Sequence, residues 1–127
     1  MDIERLIDDA PWSRDFGYCR ALRVGDRILV SGTTASDERG RPTAPDTEGQ
    51  TRVILQRIRA AVEALAPGAV VVRTRVYLTH GNEWRGAGVA HREAFGDMLP
   101  VNTTVAVGGL VGEGLLVEVE AEAVVLS

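Results

Sequence analysis

The segment from Val117 to Val124 reads VEVEAEAV, with a glutamate at every second position. Successive side chains of a β-strand point to opposite faces, so the three glutamates share one face and the small apolar residues share the other. The pattern therefore predicts a strand with one apolar and one acidic face. Three like charges in a row repel one another unless solvent or cations face them, so we expect cationic side chains on a neighbouring strand.

A second predicted strand, from Val70 to His80, carries such cations. Its apolar face is predicted to consist of Val70, Val72, Val76 and Leu78. Its polar face is predicted to consist of Arg73, Arg75 and Tyr77. If the two strands share a sheet face, the arginines pair with Glu118, Glu120 or Glu122, and this alone is a structural explanation for all five charges.

Further strands are predicted on both sides of this pair. The β-branched run from Val101 to Val107 lies between Pro100 and the glycine pair Gly108-Gly109, which is typical of a strand followed by a turn. Residues 19–24 and 27–31 predict a hairpin, because only Gly25-Asp26 separates the two β-prone segments. The segment from Thr33 to Pro45 is rich in turn-forming residues and is predicted to be a loop.

Two helices are predicted by apolar residues at helical spacing. The first begins at Asp46-Thr47, where Thr47 and Gln50 have the spacing of a capping box, and Ala66-Pro67-Gly68 ends it. The second begins near Asn82 and ends at Gly96, and its inner stripe is predicted to include Trp84, Ala87, His91, Ala94 and Phe95. The fold class is therefore α+β, with two helices on one face of a mixed sheet. The other face is polar, and a homo-oligomer that packs these faces together would place clefts between subunits.

The composition sets limits on the class of protein. The chain has 127 residues, of which 45% are apolar and 25% charged, and we expect a single domain spanning residues 1–127. The net charge of −4 argues against nucleic-acid binding. Cys19 is the only cysteine and no Cys/His cluster has zinc spacing, so neither an intrachain disulfide nor a metal site is expected. The acidic start lacks the features of a signal peptide, and we expect no membrane association and a cytoplasmic protein.

Several short motifs occur together along nearly the whole chain. They are Phe16-Gly17-Tyr18, Val30-Ser31-Gly32, Gln50-Thr51-Arg52, the segment from Val72 to Leu78, Glu93-Ala94-Phe95, Pro100, and the segment from Val117 to Ala121. In their order and spacing the chain resembles the Rid family, the YjgF/RidA reactive-intermediate deaminases that are also called endoribonuclease L-PSP.

This resemblance implies a chorismate-mutase-like fold and a homotrimer built round a β-barrel, with a ligand cleft at each subunit interface and no cofactor. Active members hydrolyse enamines and imines to 2-oxo acids and ammonia. At the positions that match the family's motifs, the resemblance implies that Glu118 positions water and that Tyr18 is a second residue of the catalytic pocket. It also implies that Gly32 contributes a backbone group to this pocket.

The chain departs from the family pattern at the arginine that holds the substrate carboxylate, because Asn102 occupies that position. Thr33 and Thr104 likewise replace a frequent glutamine and cysteine. Asparagine has no charge, so the lost guanidinium contact is expected to cost about 2 kcal/mol or more of substrate binding, and we expect weak or absent activity on small imino acids. The substrate-contacting set is expected to be Asn102, Gly32, Thr33, Thr103 and Trp84.

Two functions remain open at this point. The first is an enamine or imine hydrolase of altered substrate choice, with Glu118 orienting water or moving a proton. The second is a non-catalytic trimer that binds a small molecule, in which Glu118 is an ordinary strand glutamate paired with arginine. A ribonuclease is disfavoured by the acidic balance and by the lack of a His or Lys constellation.

Overall fold

The glutamate-bearing segment forms a central strand of a six-stranded mixed sheet. The computed structural model describes residues 2–126, and its strands are β1 (Ile3–Leu6), β2 (Ala21–Val24), β3 (Arg27–Thr33), β4 (Val70–Leu78), β5 (Val101–Ala106) and β6 (Val117–Val124). Their order across the sheet is β1-β2-β3-β6-β4-β5. All neighbours are antiparallel except β4 and β5, which are parallel. The last strand of the chain therefore contacts β3 on one side and β4 on the other.

The alternation predicted for β6 is confirmed. Val117, Val119, Ala121 and Ala123 are each 4% exposed or less, whereas the three glutamates are half-buried on the opposite face. The predicted hairpin is also confirmed, because Val24 pairs with Arg27 and leaves Gly25-Asp26 as the turn. Gly25 has a φ of 63°, a left-handed conformation that glycine adopts without the steric penalty of a side chain.

The pairing of charges between β4 and β6 is confirmed as well. Arg75 faces Glu120 across the strands, and its Nη1 lies 3.3 Å from Glu120 Oε2. The Nε atom of Arg73 lies 3.9 Å from Glu122 Oε1. The predicted apolar face of β4 is wrong at its start, because the register shifts between residues 71 and 73. This irregularity turns Val71 into the core and leaves Val72 exposed.

The two predicted helices are confirmed and pack on one face of the sheet. They are α2 (Thr47–Leu65) and α3 (Trp84–Phe95), and a short helix, α1 (Pro11–Phe16), precedes them. The apolar residues of α2 form one core cluster with those of β3, β4 and β6. Within residues 2–126, no helix is both long and apolar enough to cross a lipid bilayer.

The second helix differs from its prediction at its first residue. Trp84 is 52% exposed rather than packed in the core, and the guanidinium carbon of Arg85 lies 4.6 Å from its ring centroid. The buried positions of α3 are Ala87, Ala90 and Phe95. Position 84 opens the helix directly after a 3₁₀ turn, Gly81–Glu83.

The predicted capping box of α2 is wrong. Asp46 is the N-cap, and its carboxylate accepts a hydrogen bond of 2.7 Å from the backbone N–H of Gly49. Thr47 lies inside the helix, and the side chain of Gln50 bonds to loops elsewhere in the chain. The extended backbone conformation of Asp46 places the cap one residue before the predicted position.

We expect Asp46→Ala to lower the free energy of unfolding by about 1 kcal/mol, because the N–H of Gly49 then has no side-chain acceptor. Urea denaturation of the wild type and the variant measures this difference. Asp46→Asn keeps an acceptor oxygen and is expected to retain most of the stability. Equal losses in the two variants would contradict the assignment of the cap.

Candidate functional site

The three glutamates of β6 have different surroundings, although they share one face. Glu120 pairs with Arg75 and accepts a short hydrogen bond from the hydroxyl of Tyr77. Glu122 lies within 4.0 Å of arginine nitrogens on both neighbouring strands. Among residues 2–126, by contrast, Glu118 has neither a hydrogen-bond partner nor an ion pair, although it is half-buried. Of the three, only Glu118 therefore has both carboxylate oxygens available to a ligand or to water.

Gly32 makes room for the carboxylate of Glu118. A Cβ atom at position 32 would lie 2.8 Å from Glu118 Oε2, which is closer than real Cβ contacts allow. Burial raises the pKa of Glu118 above its usual range, and Glu120 adds to this effect, while the nearby charge of Arg20 opposes it. A carboxyl group whose pKa lies closer to neutrality is better suited to accepting and returning a proton.

Arg20 is a member of this site that the sequence analysis did not identify. It lies just before β2, and its Nη2 donates a hydrogen bond to the backbone carbonyl of Gly32. Its guanidinium carbon lies 5.9 Å from the ring centroid of Tyr18. A signal was present, because residues 18 and 20 are two apart and project to the same side of an extended chain. The sequence does not show that this side faces Glu118 on a strand almost 100 residues later.

A cavity of about 900 Å³ opens around these residues. Its polar wall includes Tyr18, Arg20, Gly32, Thr33 and Glu118, and we call this cavity the Glu118 cleft. Its apolar wall includes Leu6, Trp12, Phe16, Ala61, Val111 and Leu115. A concave site with mainly apolar walls and a few convergent polar groups is typical of small-molecule binding.

Four of the predicted site residues therefore meet in one place, namely Tyr18, Gly32, Thr33 and Glu118. Thr33 is buried, and its hydroxyl donates to the carbonyl of Ser31. Trp84 and Thr103 do not line the cleft within one protomer. Thr103 lies on the edge strand β5, opposite Arg75.

Asn102 also lies outside the cleft of its own protomer. Its Nδ2 donates to the hydroxyl of Thr74 at 3.0 Å, and the same hydroxyl bonds to His91 Nε2 at 2.8 Å. Because Thr74 is buried on the helix-bearing face, Asn102 lies on the face opposite to Glu118. In a single protomer, the two residues do not converge on one ligand.

His91 behaves as a packed histidine, as expected. Its ring lies edge-on to Phe95 at a centroid distance of 4.8 Å, and burial lowers its pKa. Within the described residues, no group of three or more His, Cys, Asp and Glu side chains is arranged to hold a metal ion. Around the Glu118 carboxyl, the groups that the cleft offers are the guanidinium of Arg20, the phenol of Tyr18 and backbone groups of Gly32.

Comparison with known proteins gives consistent matches over almost the whole chain. Residues 10–125 match the family model described as Endoribonuclease L-PSP. An uncharacterised protein of Streptomyces coelicolor, SCO2049, is 38% identical, with 95% of this chain and 91% of that protein covered. The RutC family protein PH0854 of Pyrococcus horikoshii is 30% identical, with 82% of this chain and 83% of that protein covered.

The solved structures agree with these matches. Rv2704 of Mycobacterium tuberculosis, a member of the YjgF/YER057c/UK114 family, superposes with a TM-score of 0.86 at 38% identity, covering 98% of this chain and all of that one. The YjgF gene product of E. coli has a TM-score of 0.78 at 22% identity, covering 95% of this chain and 98% of that one, which supports the fold.

Proposed function

This chain belongs to the endoribonuclease L-PSP family, the family of the YjgF and RidA proteins, and from that membership we propose that it hydrolyses an enamine or imine in the Glu118 cleft. The observation that carries the proposal is the free carboxylate of Glu118. The other two glutamates of β6 are held by arginine or tyrosine, whereas Glu118 faces the cavity with no partner among the described residues.

The chemistry requires a group that takes a proton from water and returns it to nitrogen. Water adds to the carbon of the C=N bond, and its first proton passes to the nitrogen, which gives a carbinolamine. The hydroxyl proton of this adduct then passes to the same nitrogen as the C–N bond breaks, which releases a carbonyl compound and ammonia. In this proposal, the Glu118 carboxylate accepts the proton from the attacking water and delivers it to the departing nitrogen. The raised pKa of Glu118 makes its carboxylate a stronger base towards water, and a pKa nearer the working pH suits a group that both accepts and returns a proton.

A non-catalytic binding protein is the second candidate, and Asn102 favours it. Both ends of its amide are engaged, because Nδ2 donates to Thr74 and Oδ1 accepts a hydrogen bond from Thr104 at 2.8 Å. Asn102 thus ties β5 to β4 rather than standing ready for a ligand. A cleft without an anchor at position 102 can bind a small molecule without turning it over.

A homotrimer is part of the same proposal. The face of the sheet that the helices leave open carries the paired charges of β4 and β6, and β5 is an edge strand with all six residues exposed. Other subunits that pack against this sheet face and this edge strand would explain both features. Native mass spectrometry is expected to show three chains of 13.6 kDa. A monomer at micromolar concentration would contradict this part of the proposal.

The function is tested by ammonia release from freshly generated imines and enamines. We expect slow turnover of 2-iminopropionate and faster turnover of a larger imine, because position 102 offers no charged anchor and the cavity is large. Thermal shifts on ligand binding without ammonia release from any imine would favour the binding protein. Turnover of 2-iminopropionate at the rate of an arginine-bearing relative would contradict the altered substrate choice.

A further inference from the structure

We propose that Arg20 holds the negatively charged group of the ligand, and that the ligand is a carboxylate with an apolar tail. This inference rests on the Glu118 cleft being the binding site of the proposed function, but it does not depend on hydrolysis. The inference identifies Arg20 as the residue that binds the charged group, and it identifies the chemical class of the ligand. The residue at position 102 determines neither.

The guanidinium of Arg20 has unused donors. Its Nη2 donates to the carbonyl of Gly32, and its Nη1 forms a long ion pair with Asp8 Oδ2 at 3.8 Å, without a hydrogen bond. Asp8 is held in place by Ser13, whose hydroxyl donates to Oδ1 at 2.8 Å. The Nε atom of Arg20 is buried without a hydrogen-bond partner among the described residues. A planar guanidinium with free donors is suited to a carboxylate, which accepts two parallel hydrogen bonds.

The other charged groups of the cleft are less available. Arg57 donates from Nη1 to the carbonyls of Thr34 and Ser36, both at 2.8 Å. Asp37 accepts hydrogen bonds from backbone N–H groups of its own loop. Among the residues that line the cleft, the remaining acids are Asp8, Asp9, Glu38 and Glu118.

Asp8 is the acid closest to the Arg20 guanidinium, and it indicates where a ligand carboxylate would sit. Its Oδ2 forms a long ion pair with Nη1 but accepts no hydrogen bond from it, so a ligand oxygen at hydrogen-bonding distance would make the closer contact. Glu118 forms no ion pair with Arg20, although the positive charge of Arg20 acts to lower the pKa of Glu118. A ligand held at Arg20 would therefore still meet a free Glu118 carboxyl.

The apolar wall of the cleft begins beside this anchor. The rings of Tyr18 and Phe16 meet edge to face at a centroid distance of 6.0 Å, and Phe16 is 87% exposed. Trp12 is 40% exposed on the same short helix. A cavity of about 900 Å³ is far larger than a two- or three-carbon acid fills, so an apolar tail along this wall would remove exposed aromatic surface from water.

The test uses the full-length protein and three probes, which are 4-phenylbutyrate, its primary amide and acetate. Isothermal titration calorimetry is expected to show that wild type binds 4-phenylbutyrate about tenfold or more tightly than the amide, on the scale of charge-assisted hydrogen bonds. Acetate is expected to bind weakly, because it has no tail. In Arg20→Gln the preference for the carboxylate over the amide is expected to fall below about twofold.

Asp8→Asn is a second variant, and its affinity for 4-phenylbutyrate is expected to rise rather than fall. It removes the competing anion but keeps an acceptor for Ser13, so 4-phenylbutyrate is expected to bind several-fold more tightly than to wild type. If circular dichroism shows that Arg20→Gln is unfolded, the role of Arg20 is tested by ligand binding to Arg20→Lys and Asp8→Asn. Arg20→Lys keeps the charge and is expected to retain part of the preference.

Several results would overturn the proposal. They are a carboxylate preference that survives in Arg20→Gln, equal binding of acid and amide by wild type, acetate binding as tightly as 4-phenylbutyrate, and no gain in Asp8→Asn. Glu118→Gln is expected to keep the preference for the carboxylate. If this variant loses turnover but still prefers the carboxylate over the amide, the two proposals are tested separately. The hydrolysis proposal can then be wrong while the role of Arg20 is supported.

Discussion

Glu118→Gln is expected to lower kcat/KM for the imine or enamine substrate by about 100- to 10,000-fold, the range of a lost general acid–base group. Glutamine has the same shape but does not accept a proton from water. The side chain still fits against Gly32, so the geometry of the cleft and the binding of ligand are expected to be retained. The measurement is ammonia release under steady-state conditions for both proteins.

The pH dependence gives an independent check on the role of Glu118. Burial raises its pKa in the folded protein, and the carboxylate is the form that accepts a proton from water. The wild-type kcat/KM is therefore expected to rise with pH through a pKa above the usual glutamate range. In Glu118→Gln this rise is expected to disappear. A wild-type rise that persists in the variant would assign it to another group.

The same pKa shift predicts that the variant stays folded. A raised pKa means that the folded state binds the proton of Glu118 more tightly than the unfolded state does. This contribution to stability is fully present below the unfolded pKa and is lost as the pH rises through the folded pKa. Above the folded pKa the charged Glu118 contributes no such stabilisation, and at such pH values Glu118→Gln is expected to be at least as stable as wild type.

Glu120→Gln is the matched control, because Glu120 lies on the same face of β6 but is held by Arg75 and Tyr77. Its activity is expected to stay within a few-fold of wild type, on the scale of a change that does not touch the reacting atoms. If both glutamine variants lose activity equally, the free carboxylate of Glu118 does not have the special role proposed here.

Gln50→Ala is expected to lower the free energy of unfolding by about 3 to 5 kcal/mol, because three backbone groups lose their partners and a cavity forms. Gln50 is 1% exposed. Its Nε2 donates to the carbonyls of Ala44 at 3.0 Å and Gly114 at 3.1 Å, and its Oε1 accepts from the N–H of Leu116 at 2.9 Å. This one side chain joins α2 to the loop before it and to the loop that leads into β6.

Urea denaturation at a fixed protein concentration measures this loss, since assembly would make the midpoint depend on concentration. Gln56→Ala is the control, because Gln56 is exposed on the same helix, and its change is expected to stay within about 0.5 kcal/mol. Similar losses in the two variants would contradict the role given to the buried hydrogen bonds of Gln50, because alanine has the higher helix propensity and the exposed change removes no buried contact.

Local periodicity accounts for the parts of the fold that were predicted correctly. The alternation of β6, the two-residue turn at Gly25-Asp26 and the apolar stripe of α2 each depend on residues that are close in the chain. The elements that were missed, β1 and α1, are four and six residues long. Such short elements carry too few residues for a periodic pattern, and α1 ends at Gly17, whose φ of 92° continues the chain into a left-handed turn.

Residue types and their spacing thus predicted five of the six described strands, the two longer helices and the acidic face of β6. Which glutamate is free, which arginine stands beside it and which side of the sheet Asn102 occupies were decided by strand register. The register places Arg75 opposite Glu120 but Tyr77 opposite Glu118, and a shift in the pairing of β3 and β6 lies next to Gly32. Register joins residues far apart in the chain, so it depends on the packing of all the strands together and is not encoded in any local pattern.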